Sequence, residues 1–168
     1  VARNLYENHP DIFEKILDGM RHRVPGVRDI TPRLTDDGRL LLQFRDGAFT
    51  DPFIDRYVSD GTIKMFAYLV LLYDPEPPPF IGVEEPENFL HPRLLPELAE
   101  ECRAAAARTQ LMVTTHSPFF LNALLPEEVR VLWRDERGYT QARRTSDLPG
   151  VTAFVENGAL MGHLWMEG

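Results

Sequence analysis

The sequence predicts an α/β fold, a mostly parallel sheet flanked by helices, with a small β-hairpin toward the C-terminal end. Three observations predict it. Two short apolar runs, Phe80–Glu84 and Leu111–Thr115, alternate with helical segments in the order helix, strand, helix, strand, helix, which is the pattern of a parallel sheet covered by helices. Both runs are nearly continuous apolar stretches, as strands buried on two faces are. Each also stops abruptly at polar residues, Glu84-Glu85 in one case and Thr114-Thr115-His116 in the other, and in such sheets ligands bind just outside the carboxyl ends of the strands.

The elements follow in chain order. Pro10–Arg23 places Ile12, Phe13, Ile16, Leu17 and Met20 at helical spacing, which predicts an amphipathic helix, and Val24–Gly26 ends it. Arg39–Phe44 and Phe49–Val58 are expected as strands joined by a turn at Asp46-Gly47. Asp60–Tyr73 predicts a helix apolar on most sides and therefore buried, with Ser59 as its N-cap and Asp60 complementing the helix dipole. Asp74–Pro79 is a proline-rich loop that no helix or central strand crosses. Beyond the strand at Phe80–Glu84, Pro92–Arg108 is expected as a helix with Pro92 in its first turn. Pro118–Leu124 is expected as a short helix capped by Ser117. Val129–Arg134 and Tyr139–Arg143 predict a hairpin around Arg137-Gly138, and Thr152–Trp165 a short helix and a packed end. The chain thus divides into a leading helix and hairpin (1–58), a core (59–125) and a C-terminal hairpin and tail (126–168).

A length of 168 residues, 43% of them hydrophobic, suits one globular domain or a large part of one. The formal net charge of −8 opposes nonspecific attachment to a polyanion, because such affinity comes from Lys and Arg neutralising phosphates. The small basic clusters at Arg21–Arg23 and Arg143–Arg144 are expected to be solvated surface. Cys102 is the only cysteine, which excludes a disulfide framework and a thiolate metal site. The longest apolar run, around Phe66–Tyr73, is far short of a membrane span. Val1–Arg23 has no apolar h-region of the kind a signal peptide needs. No membrane partner and a cytoplasmic location are expected.

Three segments carry chemistry. In Phe80-Ile81-Gly82-Val83-Glu84-Glu85-Pro86-Glu87 an apolar strand runs into adjacent carboxylates. Successive strand side chains point to opposite faces, so Glu84 and Glu85 cannot do the same job; one can face a metal ion and the other an attacking water. In Leu111-Met112-Val113-Thr114-Thr115-His116-Ser117-Pro118 a second strand ends at a histidine, whose neutral imidazole donates one hydrogen bond and accepts another, as a phosphate sensor must. In Val58-Ser59-Asp60-Gly61-Thr62 a helix start offers free amides to an anion, and glycine permits close approach. Each has a plainer reading when taken alone: an acidic turn, a structural histidine, an ordinary N-cap.

Taken together and in this order, the three resemble the ABC ATPase superfamily, and closely its RecF/SMC/OLD-like branch, whose domains are often labelled AAA ATPase domains. Ser59–Thr62 look like the signature motif, Phe80–Glu85 like Walker B, and Glu85-Pro86-Glu87-Asn88-Phe89-Leu90-His91-Pro92 like that branch's Walker B plus D-loop. Thr114-Thr115-His116-Ser117-Pro118 looks like the switch-histidine motif. The resemblance covers about Ser59–Leu124 well and the flanks loosely. It implies a P-loop NTPase-like fold of ABC type and the use of ATP and Mg²⁺. Glu84 would hold Mg²⁺, where the commoner residue is Asp, and Glu85 would polarise the attacking water. His116 would contact the γ-phosphate. Ser59, Gly61 and Thr62 would reach ATP held by a partner subunit, with Asn88 and His91 along the same interface, so that the ATPase works as a head-to-tail homodimer. Asp60 stands where ABC transporters have glycine and Thr62 where they have glutamine, which favours the RecF/OLD-like side over a transporter subunit.

One element of the family is missing from these residues. No Gly-x-x-x-x-Gly-Lys-[Ser/Thr] occurs, and the only lysines are Lys15 and Lys64, so nothing in the sequence cradles the β- and γ-phosphates. The resemblance therefore implies a partial domain, in need of a Walker A half from the same gene or a separate chain, and exposing apolar surface without it. The full assembly would act on DNA, in repair, maintenance or phage defence. Two other readings stand beside this one. Glu84, Glu85, Glu87, His91 and His116 could form the oxygen- and nitrogen-rich site of a metal-dependent hydrolase or nuclease, or the chain could be a non-catalytic interaction module that kept the fold.

Overall fold

A computed structural model describes residues 1–167. Two helices, α1 (Ala2–Asn8) and α2 (Pro10–Arg23), lead into an antiparallel sheet of β1 (Val27–Leu34), β2 (Leu40–Asp46) and β3 (Phe53–Ile54), ordered β1-β2-β3. Helix α3 (Asp60–Leu72) follows, then the parallel pair β4 (Phe80–Glu84) and β5 (Gln110–Thr114), joined through α4 (Leu95–Ala105). Helix α5 (Pro118–Leu121), the hairpin β6 (Arg130–Arg134) and β7 (Thr140–Arg144), and helices α6 (Val151–Glu156) and α7 (Met161–Glu167) complete the chain. The class is the predicted α/β one, and the hairpin lies where the Arg137-Gly138 turn predicts. The expected mostly parallel sheet is present among the described residues only as the β4–β5 pair, since β1–β2–β3 and β6–β7 pair antiparallel.

The core forms where α2 and α3 meet. The α2 face Phe13, Ile16, Leu17 and Met20 is buried, as its spacing predicts, against Met65, Phe66 and Leu69 of α3 and Ile30 and Phe44 of the antiparallel sheet. Tyr6, Phe13, Phe66 and Phe44 form a chain of edge-to-face contacts with centroids 5.2, 6.2 and 6.5 Å apart, each worth about 0.5–1.5 kcal/mol beyond simple burial. At the end of α2, Arg23 pairs with Glu101 at 2.7 Å and with Glu97 at 3.0 Å, fastening α2 to α4.

Several elements differ from expectation, each for a local reason. Val27–Leu34 is a strand although Pro32 interrupts its pattern; β1 is a sheet edge, where a missing N–H is tolerated, and a register shift between Val27 and Asp29 hides the alternation. The expected strand Phe49–Val58 shrinks to Phe53–Ile54 and passes into a 3-10 turn at Asp55–Tyr57. The sequence does not predict helix α1: seven residues with Leu5 alone buried carry no readable period. The helix expected from Pro92 is α-helical only from Leu95, after a 3-10 turn at Pro92–Leu94, because the ring of Pro96 clashes with an α-helical carbonyl four residues earlier. Ser117 occupies the N-cap position of α5 but its side chain caps nothing. The tail folds as two short helices, not one.

Beneath β4 and β5, Ile81 and Val83 are buried. The opposite face is open, with Phe80 47% and Met112 55% exposed and Gly82 directly opposite Met112. Among the described residues neither outer edge of this pair meets another strand. Parallel sheets are ordinarily covered on both faces, so this is the apolar exposure the sequence leads one to expect.

Candidate functional site

The site lies at the carboxyl ends of β4 and β5. Their parallel register sets Glu84 opposite Thr114, so the acidic tip and the histidine tip are neighbours rather than opposite edges of a sheet. Glu84 ends the exposed face of β4, and no hydrogen bond or ion pair engages its carboxylate among the described residues. The chain then turns sharply: Glu85 has φ 41, the left-handed region that a non-glycine residue seldom enters. Three contacts hold it there. The Glu85 N–H donates to the Thr114 carbonyl at 2.8 Å, its carbonyl accepts from Asn88 N–H at 3.1 Å, and the Asn88 side-chain amide donates to Glu85 Oε2 at 3.0 Å. The kink separates the two carboxylates, leaving Glu84 in solvent and Glu85 half-buried and oriented.

Glu87 joins the two tips. Its Oε1 accepts from the His116 N–H at 2.7 Å and its Oε2 from the Thr115 hydroxyl at 2.8 Å, while Thr115 Oγ1 accepts from Ser117 N–H at 3.0 Å. The His116 imidazole is exposed and has no hydrogen-bond partner of its own among the described residues. The charge of Glu87 also reaches Tyr68 on α3, whose phenol is pushed up to about 12, first by burial and then by its interactions with Cys102 and Glu87.

The start of α3 is tied to the same loop. Ser59 Oγ accepts from Thr62 N–H at 3.2 Å and lies 2.8 Å from the Thr62 hydroxyl, so Ser59 is the N-cap the sequence predicts. Lys64 Nζ donates to the Asn88 carbonyl at 2.8 Å. Gly61 abuts the loop so closely that a Cβ there would stand 2.6 Å from the Phe89 carbonyl oxygen. Phe89 itself has φ 69 and a side chain 75% exposed. His91 is turned to a local task, its Nδ1 accepting from Arg93 N–H at 3.2 Å to cap the turn at Pro92.

The predicted residues therefore gather as two linked groups: Glu84, Glu85 and His116 on the strand tips, and Ser59, Gly61 and Thr62 at the helix start, with Asn88 bridging them. Among the described residues no group of three or more His, Cys, Asp or Glu converges so as to hold a metal ion. This corrects the expected alternative of a metal centre built from Glu84, Glu85, Glu87, His91 and His116: both Glu87 oxygens are taken by Thr115 and His116, and His91 caps a turn. A single solvated carboxylate such as Glu84 does fit a cation that keeps most of its water and takes its other ligands from a bound phosphate, which is how Mg²⁺ commonly binds. The cysteine chemistry is closed as well, since burial pushes the Cys102 thiol up to about 12.

The chain that carries this parallel pair, with its carboxylate and histidine tips beside a glycine-containing helix start, is an AAA domain whose fold is similar to that of SMC ATPase heads. Residues 2–122 match the family model described as "AAA domain, putative AbiEii toxin, Type IV TA system", and the chain belongs to that family. No protein of curated function matches the sequence. Among solved structures, the fold is similar to a chain from work on "ATP-driven dimerization and DNA stimulated activation of SMC ATPases", with 14% identity, TM-score 0.62, and coverage of 92% of this chain and 94% of that one. It is similar also to the Smc head domain with an extended coiled coil bound to the C-terminal domain of ScpA from Pyrococcus furiosus, with 12% identity, TM-score 0.62, and coverage of 93% and 39%. A third is the SmcHead bound to the C-winged helix domain of ScpA, with 16% identity, TM-score 0.58, and coverage of 79% and 41%. The family uses ATP and Mg²⁺ in general, and no described helix is long and apolar enough to cross a membrane.

Proposed function

We propose that this chain supplies the Walker B, D-loop, switch-histidine and signature groups of an ATP hydrolase, and that a Walker A segment outside these 168 residues, in the same gene product or a separate chain, supplies the phosphate cradle. The observation that carries this reading is the parallel pairing of β4 with β5, which brings the Glu84-Glu85 tip and the His116 tip to one edge. Residues 59–125 form the working core, with 1–58 and 126–168 as its packing partners. The open face bearing Phe80 and Met112 is where the missing strands and helices would cover the sheet.

In this scheme Glu84 holds hydrated Mg²⁺, which when bound neutralises charge developing on the phosphates. Glu85, fixed by Asn88, orients and polarises the attacking water. His116 donates a hydrogen bond toward the terminal phosphate. Ser59, Gly61 and Thr62 complete the ATP site of a second copy in a head-to-tail homodimer, with Asn88 and His91 lining the contact. The assembly's substrate beyond ATP is DNA, in repair, maintenance or defence against phage.

The test uses the chain joined to its Walker A half. Glu85→Gln retains ATP binding, loses hydrolysis, and accumulates an ATP-dependent dimer by light scattering. Hydrolysis at the parental rate in this variant removes Glu85 from the proposed role. The 168-residue chain alone shows no turnover; ATPase activity that co-purifies with it and disappears in its own Glu85→Gln variant would refute the need for a second half.

A further inference from the structure

We propose that Glu87 is a positioning residue for His116, an inference that rests on the ATPase reading above. Glu87 belongs to neither strand, yet its carboxylate holds the tip of β5 at two points: the His116 backbone amide at 2.7 Å and the Thr115 hydroxyl at 2.8 Å. Thr115 Oγ1 in turn receives the Ser117 amide at 3.0 Å. Three consecutive residues, Thr115 to Ser117, thus hang on one side chain, just where the β4–β5 ladder has ended at Thr114. The His116 imidazole has no protein partner among the described residues, so the placement of its backbone is what aims it.

Electrostatics argue that geometry is the reason for this carboxylate. A site that receives a polyanionic triphosphate is disfavoured by a further negative charge beside it. No Lys, Arg or His forms an ion pair with Glu87 among the described residues, so the charge is not there to complete a salt bridge. What Glu87 provides is an acceptor-only group facing two donors, in charge-assisted bonds stronger than neutral ones. A glutamine in its place can keep both arms only by donating its N–H₂ to the Thr115 hydroxyl, which then accepts, and both bonds lose their charge assistance. The loop that carries Glu87 is also anchored at its far end, by Lys64 on the Asn88 carbonyl and by Gly61 against Phe89, so the clamp cannot slide to compensate.

The experiment measures steady-state and single-turnover ATP hydrolysis by the chain joined to its Walker A half. Glu87→Ala lowers kcat by roughly 10- to 100-fold, the scale of a misplaced catalytic group, while KM for ATP stays within about threefold. Glu87→Gln, which loses the charge assistance, and Thr115→Val, which removes the hydroxyl arm, give smaller losses in kcat. The deciding measurement is a double-mutant cycle with His116→Ala. If Glu87 acts through His116, Glu87→Ala causes no further loss in the His116→Ala background; losses that multiply refute the proposal. Should Glu87→Ala fail to fold, the same cycle is run with Thr115→Val, which leaves the amide arm intact. Loss of activity in Glu85→Gln together with parental kcat in Glu87→Ala overturns this inference alone, whereas unchanged activity in Glu85→Gln overturns the function it rests on.

Discussion

Replacing Gly61 by alanine tests the packing of the site most directly. A Cβ at this position would lie 2.6 Å from the backbone oxygen of Phe89, roughly 0.8 Å inside the ordinary contact distance of 3.4 Å. Alanine is favoured over glycine in a helix by about 1 kcal/mol, which works against destabilisation. Overpacking by a methyl group costs about 1–3 kcal/mol. Which term wins depends on whether the Phe89 carbonyl can retreat. Phe89 already sits at φ 69, and its neighbour Leu90 is 6% exposed and fixed in the core, so retreat strains one residue or unpacks the other. The clash wins, and Gly61→Ala loses about 1 kcal/mol.

Urea denaturation of the chain followed by circular dichroism reads this as a lower midpoint at unchanged slope. Gly82→Ala is the matched control. Its Cβ meets only the Phe80 ring, at 3.5 Å and on the open face, so stability stays within about 0.5 kcal/mol of the parent. A Gly61→Ala midpoint equal to or above that of Gly82→Ala would show that α3 and the loop do not touch as described.

Two further predictions concern ionisable groups. With its pKa at about 12, Cys102 holds roughly one thiolate per ten thousand molecules at pH 8, so iodoacetamide leaves the native chain unmodified by intact mass over a period that fully labels it in urea; rapid native labelling contradicts the burial. Glu128 accepts from Arg103 at 2.7 and 2.8 Å, and this hydrogen bond holds its carboxyl below the usual range. A depressed folded pKa gives stability that is present above the unfolded value near 4.5 and is lost as pH falls through the folded one. The side chains are 39% and 29% exposed, so solvent screening limits the pair to roughly 0.5–1 kcal/mol. Glu128→Gln therefore lowers stability at pH 7 by that amount and flattens its acid dependence below pH ~4.5; an unchanged acid limb refutes it.

What the sequence made legible is what repeats or what stands next to itself. The α2 face Phe13, Ile16, Leu17 and Met20 repeats, and the structure buries it. The β4 and β5 runs are bounded by their own polar tips, and Ser59 caps the helix that starts one residue later. What stayed hidden depends on partners distant in sequence. Glu87 contributes through Thr115 and His116, 28 and 29 positions away. Nothing in Pro86-Glu87-Asn88 distinguishes a clamp from an acidic turn. Gly61 has the same character: its sequence context suggests room for a phosphate, and a side chain there would meet the Phe89 carbonyl oxygen. The strand β1 was hidden for another reason, since Pro32 is acceptable only because that strand lies at an edge, and edges are a property of the sheet.

The two positive φ values among the described non-glycine residues make the same point in energetic form. They fall at Glu85 and Phe89, both inside the loop that links the strand tips to α3. Each left-handed residue of this kind costs of order 1–3 kcal/mol relative to a relaxed conformation, and glycine would remove the cost at either position. Glycine would also remove the carboxylate that Asn88 orients, and the exposed ring over which the Lys64 ammonium sits at 5.8 Å. The chain therefore keeps a strained backbone where relief would cost a side chain. At Glu85 that side chain is the one proposed to activate water. At Phe89 it is a large aromatic presented to solvent beside the helix start, on the surface proposed to meet a second copy.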